Sequence, residues 1–200
     1  MKNKFEVSGL FYELRGNKLR KYLDIKKEGT TLKEPDLMVV MMNPGSSYPL
    51  DNIDNNTVPS AAVPDNTQDQ IMKVMNNASL CYARILNLSD LRTPDSKVLY
   101  DFLGSDEAKD IDHSIFSKSR KVDLQKLFIK GVPVIYGWGV NNALIPLAKS
   151  AIETLTVDNP LGLLKPSTEY SYYHPLPRVY KKQLEWVQGV TMQILREQQS

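Results

Sequence analysis

The sequence predicts an α/β protein: a three-layer sandwich in which a short, mostly parallel four-stranded sheet lies between helices, preceded by an N-terminal β-hairpin. Three observations point to it. Short apolar runs alternate along the chain with segments of helical periodicity. Two strand-like segments near the start flank a Gly-Asn pair, a hairpin signal. The 200 residues are 42% hydrophobic and 24% charged, which suits one domain, residues 1–200, with a full core.

Each element has its own signature. Residues 11–14 and 19–25, around Gly16-Asn17, make the hairpin. Residues 36–42, with five apolar positions after Asp36 and Met42 at the end, read as a buried strand. Residues 49–66 carry three prolines and many Asp and Asn residues. They read as a long loop, which in a compact domain is usually functional or mobile. Residues 68–77 are helical, and 84–87 form the next short strand. Asp95 caps a helix that runs through Leu103, with Gly104 past its end. Residues 122–130 make another helix, stopped by Gly131, and 132–136 a third buried strand. Residues 141–155 are helical, Pro146 leaving the start open, and 161–164 supply a fourth strand. Residues 179–198 form a long terminal helix with Leu184, Val187, Thr191 and Ile194 on one stripe.

Composition narrows the function classes. Net charge is only +2, too small to mark a nucleic-acid binder, although residues 15–27, 118–121 and the set Arg178, Lys181 and Lys182 are locally basic. A single cysteine, Cys81, excludes an internal disulfide and fits a reducing compartment or a fold that needs no bridges. No apolar run approaches the roughly 20 residues of a membrane span, and no signal-peptide pattern is present, so a cytoplasmic protein without a membrane partner is expected. There is no phosphate-binding glycine loop, no His/Cys cluster with metal spacing and no nucleophile–base pair around Cys81. A site without metal or cofactor is expected.

Two segments carry the chemistry: MMNPGSS at 41–47 and YHPLPR at 173–178. Both read as loops at strand ends, where open α/β sheets place ligands. Asn43, ahead of a Pro-Gly turn, is held rigidly and can orient a water, but an amide is no strong base. His174, ahead of Pro175, has restricted backbone freedom and can donate to a developing oxyanion. Asn87, at another strand end, offers a donor and an acceptor together, which matches the edge of a pyrimidine. Trp138 reads as core or pocket wall, and His113, in a polar stretch, as having no role.

Four segments, in this order, resemble the uracil-DNA glycosylase superfamily, and specifically an outlying branch of it. VVMMNPG at 39–45 resembles a first motif ending in Asn-Pro-Gly. ARILNLSDLR at 83–92 resembles the strand whose asparagine reads the base. VIYGWG at 134–139 resembles the strand ending in Trp-Gly, and HPLPR at 174–178 the His-Pro loop that enters the minor groove. The resemblance implies a four-stranded parallel sheet between helices and a monofunctional DNA glycosylase with no metal, no lyase activity and no obligatory protein partner. It acts on double- or single-stranded DNA, in base-excision repair or in defence against modified phage genomes. It also implies roles. Asn43 positions the attacking water and His174 stabilises the departing base; Asn87, Gly45 and Tyr48 contact the base. Ser46 and Ser47 meet phosphates, Leu176 or Arg178 fills the gap left by the flipped base, and Lys181 and Lys182 face the duplex.

The departures shape the expected substrate. Gly45 stands where uracil-specific members carry an excluding tyrosine, and residues 50–56 hold Asp51, Asn52, Asp54, Asn55 and Asn56 where many members carry a stacking aromatic. A pocket opening toward residues 50–56 is therefore expected, suited to a bulky hydroxymethylated or glucosylated cytosine, or otherwise to uracil or another deaminated base. Two alternatives stay open: a catalytically inactive nucleic-acid-binding module of the same fold, and a nucleoside or nucleotide hydrolase.

Overall fold

Five consecutive apolar residues make β3 (Leu37–Met41) buried throughout. In the computed structural model, which describes residues 4–199, its side chains divide between the two faces of the sheet. Leu37, Val39 and Met41 enter one hydrophobic core, Met38 and Val40 the other, as strand alternation requires. β6 (Tyr82–Asn87) and β7 (Val134–Gly137) flank β3 and run parallel to it. Ile85 and Ile135 join the first core, Leu86 and Tyr136 the second.

Helices close both faces. α1 (Asn66–Asn77) and α6 (Tyr180–Glu197) cover the first core with Ile71, Val74, Trp186, Val190 and Ile194. α2 (Ser96–Leu103), α4 (Lys121–Leu127) and α5 (Ile145–Leu155) cover the second with Leu99, Phe102, Leu124, Ala148 and Ala151. A short helix, α3 (Asp106–Asp110), links α2 to the segment before α4. Among the described residues no helix is long and apolar enough to cross a membrane.

The sheet differs from the expected one: it is neither four-stranded nor mostly parallel. Among the described residues it has seven strands in the order β4 (Tyr48–Pro49), β5 (Ser60–Val63), β1 (Phe5–Leu14), β2 (Asn17–Lys27), β6, β3, β7, and only β6, β3 and β7 are mutually parallel. The hairpin of β1 (Phe5–Leu14) and β2 (Asn17–Lys27) is part of the central sheet, because β2 pairs antiparallel with β6. Its turn lies at Arg15 and Gly16, both at positive φ (50° and 78°), the geometry that matches strand twist. Asp24 faces Arg84 across β2 and β6 and takes two of its N–H bonds, at 2.7 and 2.8 Å. That bidentate pair fixes the register of the join.

Two further corrections concern short elements. Residues 49–66 are not all loop: β4 (Tyr48–Pro49) and β5 (Ser60–Val63) pair there, and β5 adds to β1. Ser60, Ala61 and Ala62 lack the apolar weight of a core strand, and backbone pairing with β1 and β4 holds them in place. Residues 161–164 form no strand. Leu161 makes one bridge beside Ile135, then Gly162, at φ 129°, turns the chain away.

The ends of the helices have local causes. Asp65 caps α1 by accepting from Thr67 N at 2.8 Å, while the Gln68 side chain accepts the Asp65 N–H, a capping box that starts the helix two residues before the expected position. On α6, Leu184 is 46% exposed, and Trp186 and Val190 join Val187, Thr191 and Ile194 on the buried stripe.

Candidate functional site

The loops that leave β3 and β6 are stitched together. Leu88 N donates to Met41 O at 2.9 Å and Ser89 N to Met42 O at 3.1 Å. Asn43 extends the seam: its Nδ2 donates to Leu91 O at 3.1 Å and to Thr93 O at 2.8 Å. Carbonyl oxygens only accept, so the amide orientation is forced, and Oδ1 remains as its acceptor.

The histidine loop is anchored as firmly. Trp138 Nε1 donates to Tyr170 O at 2.7 Å, Gly139 N to Tyr172 O at 2.7 Å, and Trp186 Nε1 to Tyr173 O at 2.9 Å. The loop passes close over the end of β7, where a side chain on Gly137 would meet Pro175 Cδ at 3.3 Å. His174 Nδ1 accepts the Leu176 N–H at 3.1 Å, so in the neutral ring Nε2 carries the proton. Burial pushes the His174 pKa down to about 4, with the negative charge of Asp65 acting in the other direction. At neutral pH His174 is thus an uncharged Nε2–H donor.

Asn87 is 1% exposed and stands at the carboxyl end of β6. Its Oδ1 accepts from Arg20 Nη2 at 3.0 Å, and its Nδ2 has no partner. A guanidinium has no acceptor, so this amide orientation is also forced: Asn87 keeps only donors to offer.

These groups share one cavity of ≈ 230 Å³ at the carboxyl ends of β3 and β6. The structure brings together Asn43, Gly45, Ser46, Asn87, His174 and Leu176 on its wall. Arg178 lines a neighbouring hollow that shares Asn66 and Leu176 with it. Lys181 and Lys182 are exposed on the first turn of α6, and Lys182 pairs with Glu185 at 3.0 Å.

Other expected site residues are placed differently. Ser47 is buried and, unlike Asn87, is not on the cavity wall, so its hydroxyl is sealed from any phosphate. Tyr48, on β4 and 40% exposed, is not on the cavity wall. Nor does the cavity open toward residues 50–56, none of which lines it. Several of their polar groups are taken up by partners elsewhere in the protein or by their own turn. Asp54 pairs with Arg92 and, at 3.9 Å, with Lys18; Asn56 Oδ1 accepts the Glu13 N–H at 2.8 Å; Asn55 Oδ1 caps its own turn at Val58 N, 2.9 Å away. Gly45 has a backbone reason to be glycine: φ is 64°, and a Cβ there would sit 2.5 Å from Asp65 Oδ2. A larger hollow of ≈ 570 Å³, at the amino end of β7, holds none of the expected site residues.

Among the lining residues that were not expected, two are charged, Arg20 and Asp65. Arg20 is 1% exposed, donates to Pro44 O at 3.4 Å as well as to Asn87, and leaves Nε without a partner. Burial lowers its pKa to about 10, opposed by Asp65 and Asp90, so it stays cationic at neutral pH. The signal for Asp65 was present in the sequence as Asp-x-x-Gln ahead of a helical pattern. Arg20 had none, sitting in an ordinary basic stretch. Among the described residues no group of three His, Cys, Asp or Glu is placed to hold a metal ion.

The chain belongs to the DUF1643 family, proteins of unknown function, whose model matches residues 22–176. That span includes Asn43, Asp65, Asn87 and His174. No curated protein and no solved structure matches the chain.

Proposed function

We propose that the protein is a monofunctional DNA glycosylase, resembling the uracil-DNA glycosylase superfamily, that hydrolyses the N-glycosidic bond of a base flipped out of DNA without metal, cofactor or strand cleavage. One observation carries the reading. Asn43 and His174, from two loops, and Asn87, from the last position of β6, line one small cavity at the carboxyl ends of the parallel strands, with each amide orientation and the histidine tautomer fixed by hydrogen bonds.

The chemistry follows from those orientations. Breaking the glycosidic bond leaves positive charge on the sugar and negative charge on the base. The Nε2–H of His174 donates to the base oxygen that gains charge, and one such preorganised donor is worth about 3 kcal/mol of barrier. Asn43 Oδ1 accepts from the attacking water and aims it. Asn87, with Oδ1 held by Arg20, donates through Nδ2 to a carbonyl on the base. A cytosine presents an exocyclic amine there and leaves two donors facing each other. The cavity is also below the roughly 300–1,000 Å³ of drug-sized pockets. Both features favour uracil or another deaminated, carbonyl-bearing base over a bulky modified cytosine. Extruding the base costs a few kcal/mol, which Leu176, at the cavity edge, and Arg178 beside it offset by filling the stack and meeting the backbone.

The test is a glycosylase assay over duplex and single-stranded DNA containing uracil, hypoxanthine, mismatched thymine and hypermodified cytosines. Abasic-site formation at uracil or hypoxanthine, unaffected by chelator, is the expected result. Binding without abasic sites would instead indicate a recognition module, and cleavage of free nucleosides alone a nucleoside hydrolase.

A further inference from the structure

We propose that Asp65 and Arg20 straddle the cavity as a fixed charge pair matched to glycosidic cleavage. Asp65, at the rim, stabilises the cationic sugar and takes the proton of the attacking water. Arg20, at the floor, holds Asn87 against the departing base anion. The proposal deepens the glycosylase reading and rests on it. It makes Asp65 a catalytic residue and Arg20 a positioning residue.

Neither charge is placed as a structural role alone would place it. Arg20 is buried and forms no salt bridge among the described residues. A buried cation without a direct partner is costly, and a purely structural arginine would be expected to close on a carboxylate. Arg84 does so with Asp24 at 2.7 Å, and Arg120 with Asp90 at 2.6 Å. Arg20 instead spends its fork on Pro44 O and Asn87 Oδ1, directly behind two strand-end loops of the site. Asp65 and Asp90 act on it only across a distance.

Asp65 is divided between two tasks. Oδ1 caps α1, accepting from Thr67 N at 2.8 Å and Gln68 N at 3.4 Å. Oδ2 is turned to the Asn-Pro-Gly loop, close enough to exclude any side chain at Gly45. A helix cap needs only the first oxygen. Asp65 is half-exposed where Arg20 and Asn87 are buried, which sets the negative charge toward the mouth and the positive charge toward the floor.

The reaction then balances within the cavity. The C1′–N bond breaks and its electron pair leaves with the base, whose oxyanion is held by His174 Nε2–H and Asn87 Nδ2. Water, aimed by Asn43 Oδ1, adds a lone pair to C1′ and gives its proton to the Asp65 carboxylate. The released base anion is protonated from solvent, and Asp65 returns its proton there.

Asp65→Asn separates cap from charge, because Asn caps helices as well as Asp. It should leave the unfolding midpoint nearly unchanged, move the His174 pKa further down by NMR, and cut single-turnover uracil excision about 100-fold, the worth of one catalytic electrostatic group. A binding arm is independent of turnover. Wild type should prefer DNA with a cationic azasugar at the abasic position over DNA with neutral tetrahydrofuran by about tenfold or more, as transition-state mimics do, and Asp65→Asn should erase that preference. Arg20→Lys, which keeps the charge, should retain more excision than Arg20→Met. If wild type excises and Asp65→Asn matches it, or the azasugar preference persists in the variant, the charge pair is refuted while the glycosylase reading stands. Equal excision by Arg20→Lys and Arg20→Met refutes the part given to Arg20. If wild type excises nothing yet shows an Asp65-dependent azasugar preference, the turnover reading falls and the charge assignment survives. No excision and no preference refutes both.

Discussion

Acidification should destabilise the protein through His174, and His174→Gln should remove that sensitivity. An unfolded histidine titrates near 6.5, whereas the folded site binds its proton only at about 4. Between those values the unfolded chain holds more protons, so stability rises with pH there and is lost as pH falls through 6.5 toward 4. Each pH unit in the window is worth about 1.4 kcal/mol, which makes the loss about 2 kcal/mol at pH 5 and about 3 kcal/mol in full. Asp90 works in the opposite sense. Burial raises its pKa to about 6, above the ordinary 3.8, so the folded state takes up its proton first and gains stability as pH falls between those values. The wild-type profile alone mixes the two contributions, and the difference between wild type and His174→Gln isolates the histidine. The assay is urea unfolding of both proteins at pH 7, 5 and 4, with the His174 ring protons followed by NMR. The variant should lose about 2 kcal/mol less than wild type between pH 7 and 5. Parallel profiles, or a His174 titration near 6.5, would refute the claim that the ring is held neutral by burial, and with it the assignment of Nε2–H as a permanent donor.

Three other outcomes follow from the geometry. Asn43→Ala should reduce single-turnover excision by about 100-fold, and it should lower stability by about 1–2 kcal/mol in urea because Leu91 O and Thr93 O lose their donor; unchanged excision removes Asn43 from the mechanism. Gly45→Ala should destabilise by about 1–3 kcal/mol, from the positive φ and the clash with Asp65 Oδ2, and a variant as stable as wild type would show that the loop gives way. Removing the charges of Arg178 and Lys181 should weaken DNA binding and reduce its salt dependence by about one unit of slope per lost phosphate contact, and an unchanged slope would turn α6 away from the duplex.

The parts legible in the sequence are those where one local signal decides. β3 declared itself by five apolar residues, and α2 by Asp95 and Gly104, which stand at its two caps. That Asn43, Asn87 and His174 meet at one end of the sheet was legible because Asn43 and Asn87 follow apolar strand runs and His174 precedes Pro175 in a loop. β4 and β5 were not, since Tyr48-Pro49 and Ser-Ala-Ala-Val carry no alternation to read and owe their form to backbone pairing with a distant strand. The acidic loop misled for a related reason. Asp54 looks like a free acceptor in the sequence, and only the fold reveals Arg92 and Lys18 beside it. Gly45 shows the same limit: an absent side chain suggests an open pocket, but the backbone and Asp65 require the absence.

Arg20 was hidden by the direction of a strand. In a wholly parallel sheet the starts of strands lie at the end opposite the ligands, so a residue early in a strand is set aside as a site candidate. β2 runs antiparallel to β6: Leu23 faces Ile85, Leu19 bridges to Leu91, and Arg20 N donates to Asp90 O at 2.9 Å. The beginning of β2 therefore lies beside the carboxyl end of β6, next to Asn87. The hairpin does more than widen the sheet. By entering antiparallel it delivers a side chain to the site from the one flank of the parallel strands that no strand-to-helix loop of β6, β3 or β7 supplies. The charge it delivers is buried because β2 is an interior strand, covered by β1 on one side and β6 on the other. An arginine placed the same way on an edge strand would be hydrated and would act only weakly on a charge in the cavity. The mixed topology and the electrostatics of the cavity are thus one feature of the fold.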